Sequence, residues 1–292
     1  MAFNWEQSLL MLVLLAVFLL SPLDALPLTG SDIELNPSAF GQGEVALLSI
    51  RQRERVRPKV TWRGKDIAVF LDGSNSMWAA FLGADLTTVP GRYTLKIRYG
   101  DDVLARRIPV ISKDHGIRRF KVPKEMEALD DPTLERVRKE SKVMMELFSH
   151  SRVQPLWWGR WISPVSGAMV SPFGCRTFIN DLERSPHSGV DLKAAEGTSI
   201  KATNRGQVVL VADQFFGGLS VVIDHGGGIH SMYFHLSEVS VASGMLVERG
   251  DLIGLAGSSG RATGPHLHFG IRLNGERVNP LSLIELSAGL GR

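Results

Sequence analysis

The chain has 292 residues, enough for about two domains, and 44% of them are hydrophobic, which excludes a disordered protein. Its single cysteine, Cys175, excludes a disulfide within the chain and a cysteine-based zinc site, so any metal must be held by His, Asp or Glu. The formal net charge is only +3, and the sequence has no nucleic-acid-binding motif, so no nucleic acid is expected as a partner.

The first 25 residues have the pattern of an export signal. Leu9 to Leu20 form an unbroken apolar run, followed by Ser21-Pro22 and a candidate cleavage point after Ala25. The run is shorter than the roughly 20 residues that a membrane span needs. Because Glu6 is the only charge before the run, an uncleaved N-terminal anchor is the alternative. Both interpretations predict an exported protein of the periplasm or cell envelope, with envelope association through this segment.

A small β-domain is predicted over residues 26–122. Between about Gly43 and Ile111, short alternating runs are separated by turn residues such as Pro90-Gly91, which is typical of an antiparallel β-sandwich of immunoglobulin-like shape. Residues 26–159 hold 22 Lys and Arg against 17 Asp and Glu, an excess that favours anionic envelope surfaces. Nothing in this domain is predicted to be catalytic, and a wall-binding module is its candidate role.

A helical linker is predicted over residues 123–160. Asp131 suits the N-cap of its helix and Pro132 the first helical position. Apolar residues recur at spacings of three and four up to Phe148, so the helix should run over about 132–149 and pack between the domains or on the second one. Three tryptophans then follow at Trp157, Trp158 and Trp161. We expect them to pack where the second domain begins, and an exposed aromatic platform is the alternative.

The second domain is predicted over residues 161–286, with a short tail at 287–292. Runs of β-type residues alternate with glycine turns throughout this part of the chain. The predicted fold class is therefore mainly β, with the sandwich first, then the helical linker, and an all-β domain last.

Two short motifs in this domain combine metal-binding side chains. In His266-Leu267-His268-Phe269-Gly270, the apolar neighbours predict a strand, on which both imidazoles leave the same face because the side-chain period is two. His187-Ser188-Gly189-Val190-Asp191 offers an imidazole and a carboxylate together. Nitrogen and oxygen donors suit zinc, and three protein ligands with one open position are typical of a catalytic site. The alternative is a buried strand whose histidines are only hydrogen-bonded.

Residues 165–281 resemble the LytM-type, lysostaphin-like zinc metalloendopeptidases over the whole catalytic domain. The ordered matches are Ser171-Pro172-Phe173-Gly174-Cys175-Arg176, the motif at 187–191, Gly197-Thr198, Gly206, Asp224-His225-Gly226, Tyr233-Phe234-His235-Leu236 and the run from Gly257 to Gly270. The complete series in order is far more specific than any one piece.

The resemblance implies that His187, Asp191 and His268 bind one Zn²⁺ ion. His235 and His266 would then flank the metal as catalytic residues, with His266 as the expected base and His235 as the group that stabilises the oxyanion. His225 is also part of the family pattern, and we expect a structural role for it.

The resemblance further implies an extended peptide of bacterial peptidoglycan, a stem or a bridge, as substrate. We predict that Arg176, Tyr233 and Gly264 contact it, although a purely structural ion pair is an equal alternative for Arg176. A non-catalytic regulator of other cell-wall hydrolases is the alternative function. We also predict that the region between the β-domain and Trp161 lies across the groove and restrains the enzyme.

Overall fold

A computed structural model describes residues 28–52, 56–72, 76–121 and 129–290. The predicted export signal lies outside these residues, as do the last residue of the predicted β-domain, 122, and the start of the predicted linker, 123–128. No helix among the described residues is both long enough and apolar enough to cross a membrane.

The first half of the described chain is built of short strands. After a 3₁₀ turn at Gly30–Asp32, they are β1 (Ile33–Asn36), β2 (Phe40–Gly41), β3 (Val45–Arg51), β4 (Lys59–Trp62), β5 (Lys65–Ile67), β6 (Phe70–Leu71), β7 (Met77–Gly83), β8 (Gly91–Tyr99), β9 (Asp102–Ile111) and β10 (Ile117–Phe120). One sheet has the order β1-β3-β7-β6, and a second has the order β2-β9-β8-β4-β5.

The two sheets enclose one hydrophobic core, so the predicted β-sandwich is confirmed. Period-two alternation explains the packing, because β8 buries Leu95 and Ile97 while Lys96 between them stays exposed. On β3, Leu48 faces this core, whereas Val45 belongs to a second core in the other half of the protein. The sheet that contains β3 is therefore covered on both faces.

The second half contains the larger sheet. Its strands are β11 (Met169–Ser171), β12 (Arg176–Ile179), β13 (Leu182–Arg184), β14 (Val190–Lys193), β15 (Ser199–Lys201), β16 (Gly206–Gln214), β17 (Gly218–Asp224), β18 (Ile229–Val239), β19 (Leu246–Val247), β20 (Leu252–Ala256), β21 (His266–Leu273) and β22 (Glu276–Val278). The main order is β11-β14-β21-β18-β17-β16-β19 in a ten-stranded sheet that also takes in β15, β20 and β22. The mainly β class is confirmed.

Strand β10 connects the two halves. It lies inside the predicted first domain, yet it pairs in parallel with β12 of the second half, in the three-stranded sheet β10-β12-β13. The predicted domain limits stay predictions, but the chain before residue 122 contributes backbone to the second half.

Two helices complete the described fold, α1 (Asp131–Ser149) and α2 (Pro280–Ser287). The predicted N-cap of α1 is wrong by one residue, because the side chain of Asp130 accepts the hydrogen bond from Thr133 N. Helix α2 was not predicted, although Asn279 caps it and Pro280 occupies its first turn.

Two residues of the tryptophan cluster are buried where the second half begins, as predicted, and the structure shows that the cluster also joins the two halves. Trp157 packs edge-on against Phe70, with ring centroids 4.4 Å apart, and contacts Phe81 at 5.7 Å. Trp161 is also buried, and its ring centroid lies 5.4 Å from that of Trp157. Trp158 is 54% exposed, so it alone of the three fits the alternative of a surface platform.

An ion pair supports the same interface. Arg277 Nη2 and Nε donate to the two carboxylate oxygens of Asp85 at 2.6 Å and 3.0 Å, and the Arg277 backbone N donates to Oδ2 at 2.9 Å. Burial acts against ionisation of the Asp85 carboxyl, but these hydrogen bonds outweigh it and hold the pKa of Asp85 well below its ordinary value.

We expect Asp85→Asn to lower the free energy of unfolding by about 1.5–3 kcal/mol at pH 7, the range for hydrogen bonds to charged groups. Because the folded-state pKa is depressed, this stabilisation is present above about pH 4 and is lost as the pH falls through the folded pKa. Denaturant unfolding should therefore show a smaller gap between wild type and variant at pH 3 than at pH 7. Asp66→Asn, which removes an exposed pair with Lys59, is the control and should change stability much less than Asp85→Asn, because solvent screens exposed ion pairs. An equal gap at both pH values would contradict the assignment.

Candidate active site

Three side chains from two neighbouring segments converge on one point. Strand β14 pairs with β21 so that Asp191 lies directly opposite His268. His187 precedes β14 and is fixed by backbone hydrogen bonds with Gly174 and Cys175. Asp191 Oδ1 lies 3.0 Å from His187 Nε2 and 2.9 Å from His268 Nδ1, and these two nitrogens are 3.0 Å apart. The prediction that β21 carries both its histidines to this site is confirmed, because His266 Nε2 is 3.8 Å from the same oxygen.

The donor set fits a zinc ion. His187 Nδ1 lies 2.8 Å from the carbonyl oxygen of Pro172, which can only accept, so the neutral ring keeps its lone pair on Nε2, toward Asp191. A lone pair facing a carboxylate is unfavourable unless a proton or a cation lies between them. Zinc bonds of about 2.0 Å at tetrahedral angles place ligand atoms roughly 3.3 Å apart, close to the observed spacing. The three atoms could therefore share one ion.

The electrostatics of the group favour the ligand forms. Burial acts to raise the pKa of the Asp191 carboxyl, but the hydrogen bonds with His187 and His268 outweigh it and hold that pKa well below its usual value. Burial lowers the pKa of His268, although Asp191 opposes this shift. An ionised carboxylate and a neutral imidazole are the forms that bind a metal.

Two more imidazoles border the same point. His266 Nδ1 lies 2.8 Å from the carbonyl oxygen of Gly264, and His235 Nδ1 lies 2.9 Å from that of Ser259. Since both carbonyls accept, each neutral ring keeps a lone pair on Nε2. The two ring centroids are 4.8 Å apart. Burial lowers the pKa of His235 to about 4, so this ring is neutral near pH 7 and can accept a proton at Nε2. Its predicted role as hydrogen-bond donor to an oxyanion would need a proton on Nε2 in addition to the one on Nδ1, which faces Ser259 O.

A bend in β18 determines which of its residues reach the site. His235 has a φ of 65°, a left-handed backbone conformation that is uncommon for a residue with a side chain. On a regular strand, Tyr233 and His235 would share a face. The bend instead places His235 at the groove beside Phe234, whose ring stacks on His268 at 5.4 Å and an interplanar angle of 7°.

The predicted substrate contact at Tyr233 is therefore wrong. The side chain is fully buried, and its hydroxyl accepts a hydrogen bond from Thr203 N at 2.9 Å and contacts Ser231 Oγ at 3.0 Å. Tyr233 is a core residue because the alternation of β18 holds up to this position and fails two residues later.

The other two predicted substrate contacts have different outcomes. Arg176 makes a bidentate ion pair with Glu183, in which Nε and Nη2 donate to the two carboxylate oxygens at 2.7 Å and 3.0 Å. Arg176 is not part of the groove lining, so the structural alternative is supported. Gly264 orients His266 through its carbonyl group, and a Cβ atom at Gly264 would meet open space. Its contact with a substrate stays a prediction.

The groove in front of the imidazoles has a volume of about 350 Å³. Its described lining includes Phe216, Phe234, Arg118, Arg184 and Arg261, none of which was predicted as a site residue. For Arg118 no sequence signal existed, because it comes from β10, in the first half of the chain. The described residues 129–160 do not line this groove, and the predicted restraint stays a prediction because the start of the linker lies outside the described residues. Helix α1 instead borders a separate cavity of about 1160 Å³.

The remaining histidines of this half have structural surroundings. His225 is fully buried and is hydrogen-bonded to Arg205 O at 2.8 Å and Ser231 Oγ at 2.7 Å, which agrees with the structural role expected for it. His230 is buried on the other side of β18, with its ring 5.6 Å from that of Phe148.

Comparisons with known proteins point to one peptidase family. Residues 185–280 match the model of Peptidase family M23. A crystal structure from Pseudomonas aeruginosa described as a peptidase M23 is 33% identical, with a TM-score of 0.66, and the match covers 84% of this chain and 95% of that one.

Two curated relatives match over shorter parts of their length. Peptidoglycan DD-endopeptidase ShyA of Vibrio cholerae is 30% identical over 238 residues, which are 76% of this chain and 53% of ShyA. The murein hydrolase activator EnvC of Escherichia coli is 44% identical over 93 residues, which are 32% of this chain and 22% of EnvC. This chain thus spans about half of ShyA and less of EnvC.

Proposed function

This chain belongs to peptidase family M23, and on that premise we propose that it is a zinc-dependent endopeptidase that hydrolyses peptide cross-links of bacterial peptidoglycan. One observation carries the proposal: His187 Nε2, Asp191 Oδ1 and His268 Nδ1 lie within 4.8 Å of one another, beside two further imidazoles. The relative ShyA, a peptidoglycan DD-endopeptidase, supports the substrate class. The proposal includes export, since cross-linked peptidoglycan lies outside the cytoplasmic membrane.

In this proposal His187, Asp191 and His268 hold the metal. When bound, zinc lowers the pKa of a water molecule toward neutrality and polarises the scissile carbonyl group. The carboxylate of Asp191 supplies the one negative charge of the ligand set. Pro172 O fixes the His187 tautomer, and Phe234 stacked on His268 limits rotation of that ring.

His266 and His235 handle protons. Gly264 O and Ser259 O fix their tautomers, so each Nε2 can accept the proton of the attacking water. We keep His266 as the first acceptor because its Nε2 is 3.8 Å from Asp191 Oδ1. A ring protonated in this way becomes a donor, and it can pass the proton to the leaving amine.

The test uses the full chain, isolated cross-linked sacculi and mass spectrometry of the released fragments. Wild type should contain about one zinc per chain and release fragments with new amino and carboxyl ends. A chelator should stop this release, and added zinc should restore it. A protein that contains zinc but leaves all cross-links intact would contradict the proposal.

A non-catalytic regulator is the second candidate, favoured by the match to the activator EnvC. Such a protein should stimulate a purified cell-wall hydrolase, and His268→Ala and chelation should leave that stimulation unchanged. An endopeptidase should instead lose its own activity under both treatments.

A further inference from the structure

Helix α1 has an apolar side that the rest of the described protein covers only partly. None of its residues is buried, although Val137, Met144 and Phe148 lie on one stripe and line the cavity of about 1160 Å³. The helix is attached to the second half by polar contacts, among them the hydrogen bonds that both carboxylate oxygens of Glu140 accept from Phe215 N, at 3.2 Å and 3.0 Å. Because an amphipathic helix is stabilised by burying its apolar side, a molecule with an apolar body in this cavity would complete the packing.

Strand β21 contributes a half-buried cation to the same cavity. The Nε of Arg272 is buried without a hydrogen-bond partner, and the guanidinium forms no ion pair with any described residue. Its carbon atom lies 5.0 Å from the centroid of the Phe148 ring. Burial lowers the pKa of Arg272 to about 10, and the nearby charge of Arg277 adds to this shift, but the group remains protonated at neutral pH. A charge that leaves water without a partner is costly, so an anion bound beside it would be stabilising.

The other charged groups of this cavity are already paired. Each of the four carboxylates of the described lining has a cationic partner: Asp66 pairs with Lys59, Asp85 with Arg277, Glu140 with Arg136 and Glu276 with Arg63. The other two cations of the lining also have polar partners, Lys65 in Glu276 and Arg152 in Gln207. Arg272 is therefore the only cation of the described lining whose charge no neighbour balances.

We propose that this cavity binds a monocarboxylate with an aliphatic body, whose carboxylate pairs with Arg272 and whose body packs on the apolar stripe of α1. A guanidinium group binds a carboxylate through two parallel hydrogen bonds. One unbalanced cation matches the single charge of a carboxylate better than the nearly double charge of a phosphate. Met144, Met145 and Met232 all line the cavity, and methionine side chains adapt to ligands of varied shape. The inference does not depend on the proposed peptidase activity, because no histidine belongs to this described lining.

The test compares decanoate with decanamide, two ligands of nearly the same shape of which only the first is charged. Calorimetric titration of the full chain should show that wild type binds decanoate about tenfold or more tightly than decanamide, as expected for hydrogen bonds to a charged group. Arg272→Met removes the charge and keeps a long side chain, so its affinities for the two ligands should agree within about twofold. Thermal unfolding of the ligand-free variant verifies that it is folded.

Arg152→Met is the matched control, because Arg152 lines the same cavity but donates to Gln207 Oε1 at 2.9 Å. It should keep the preference for decanoate. Ser141→Trp, at an exposed position of α1 on the same lining, places an indole in the cavity and should lose most of the affinity for both ligands. The inference is overturned if wild type binds neither ligand or both equally, or if Ser141→Trp binds as wild type does. A preference that persists in Arg272→Met also overturns it, since the carboxylate would then be bound elsewhere, for example at a metal.

Discussion

Asp191→Ala is expected to leave a folded protein with almost no bound zinc and almost no hydrolytic activity. The variant removes the only negative charge of the ligand set and one of its three donor atoms. Loss of several kcal/mol of transition-state stabilisation corresponds to a rate lower by more than about 10³-fold. Elemental analysis gives the zinc content, and fragment release from sacculi gives the rate.

Two controls make this result specific. Glu196→Ala removes an exposed carboxylate of the same half and should keep both zinc and activity. Thermal unfolding of the metal-free proteins should show that Asp191→Ala is folded. Full zinc content in Asp191→Ala would show that the zinc ion binds at a place other than the His187, Asp191 and His268 group.

His266→Gln and His235→Gln are expected to lower kcat by about 10²–10⁴-fold while zinc content stays near one per chain. A backbone carbonyl group holds the proton of each ring on Nδ1, so that Nε2 carries the lone pair that accepts a proton. Neither ring is one of the proposed metal ligands, so its loss should leave zinc binding intact. If His266 is the first proton acceptor, its variant should have the larger effect.

The double variant adds information, because residues that act in the same proton transfer have non-additive effects. We expect His235→Gln in a His266→Gln background to cost much less than it does alone. His150→Gln, at an exposed position at the end of α1, is the control and should be neutral. Loss of zinc together with activity in the single variants would instead make these histidines metal ligands.

Local patterns were enough for part of the site. The alternation of His266-Leu267-His268 predicted a strand with both imidazoles on one face, and β21 has this form because nothing interrupts its pairing with β14 and β18. The substrate contact predicted at Tyr233 rested on the family resemblance and was wrong, because the side chain is buried. His235, two positions later, has a left-handed backbone conformation that turns its side chain toward the groove, and a single sequence does not reveal such a bend.

The other differences have separate physical causes. Helix α2 had local signals, Asn279 as cap and Pro280 in the first turn, but its short apolar sequence also resembles a strand. No local signal in the sequence indicated that Arg118 lies at the groove. Parallel pairing of β10 with β12 joins residues about 60 positions apart, and no local propensity encodes such a partner.

The hydrophobic core of the second half includes side chains from the first half, and this matters to anyone who would isolate the second half alone. A fragment that starts near Trp161 would lack Phe81 and Trp157, which cover one side of that core, and β12 would be left with an unpaired edge. Apolar patches and open strand edges of this kind promote self-association. Poor solubility of such a fragment would therefore reflect lost cover and would say nothing about its chemistry.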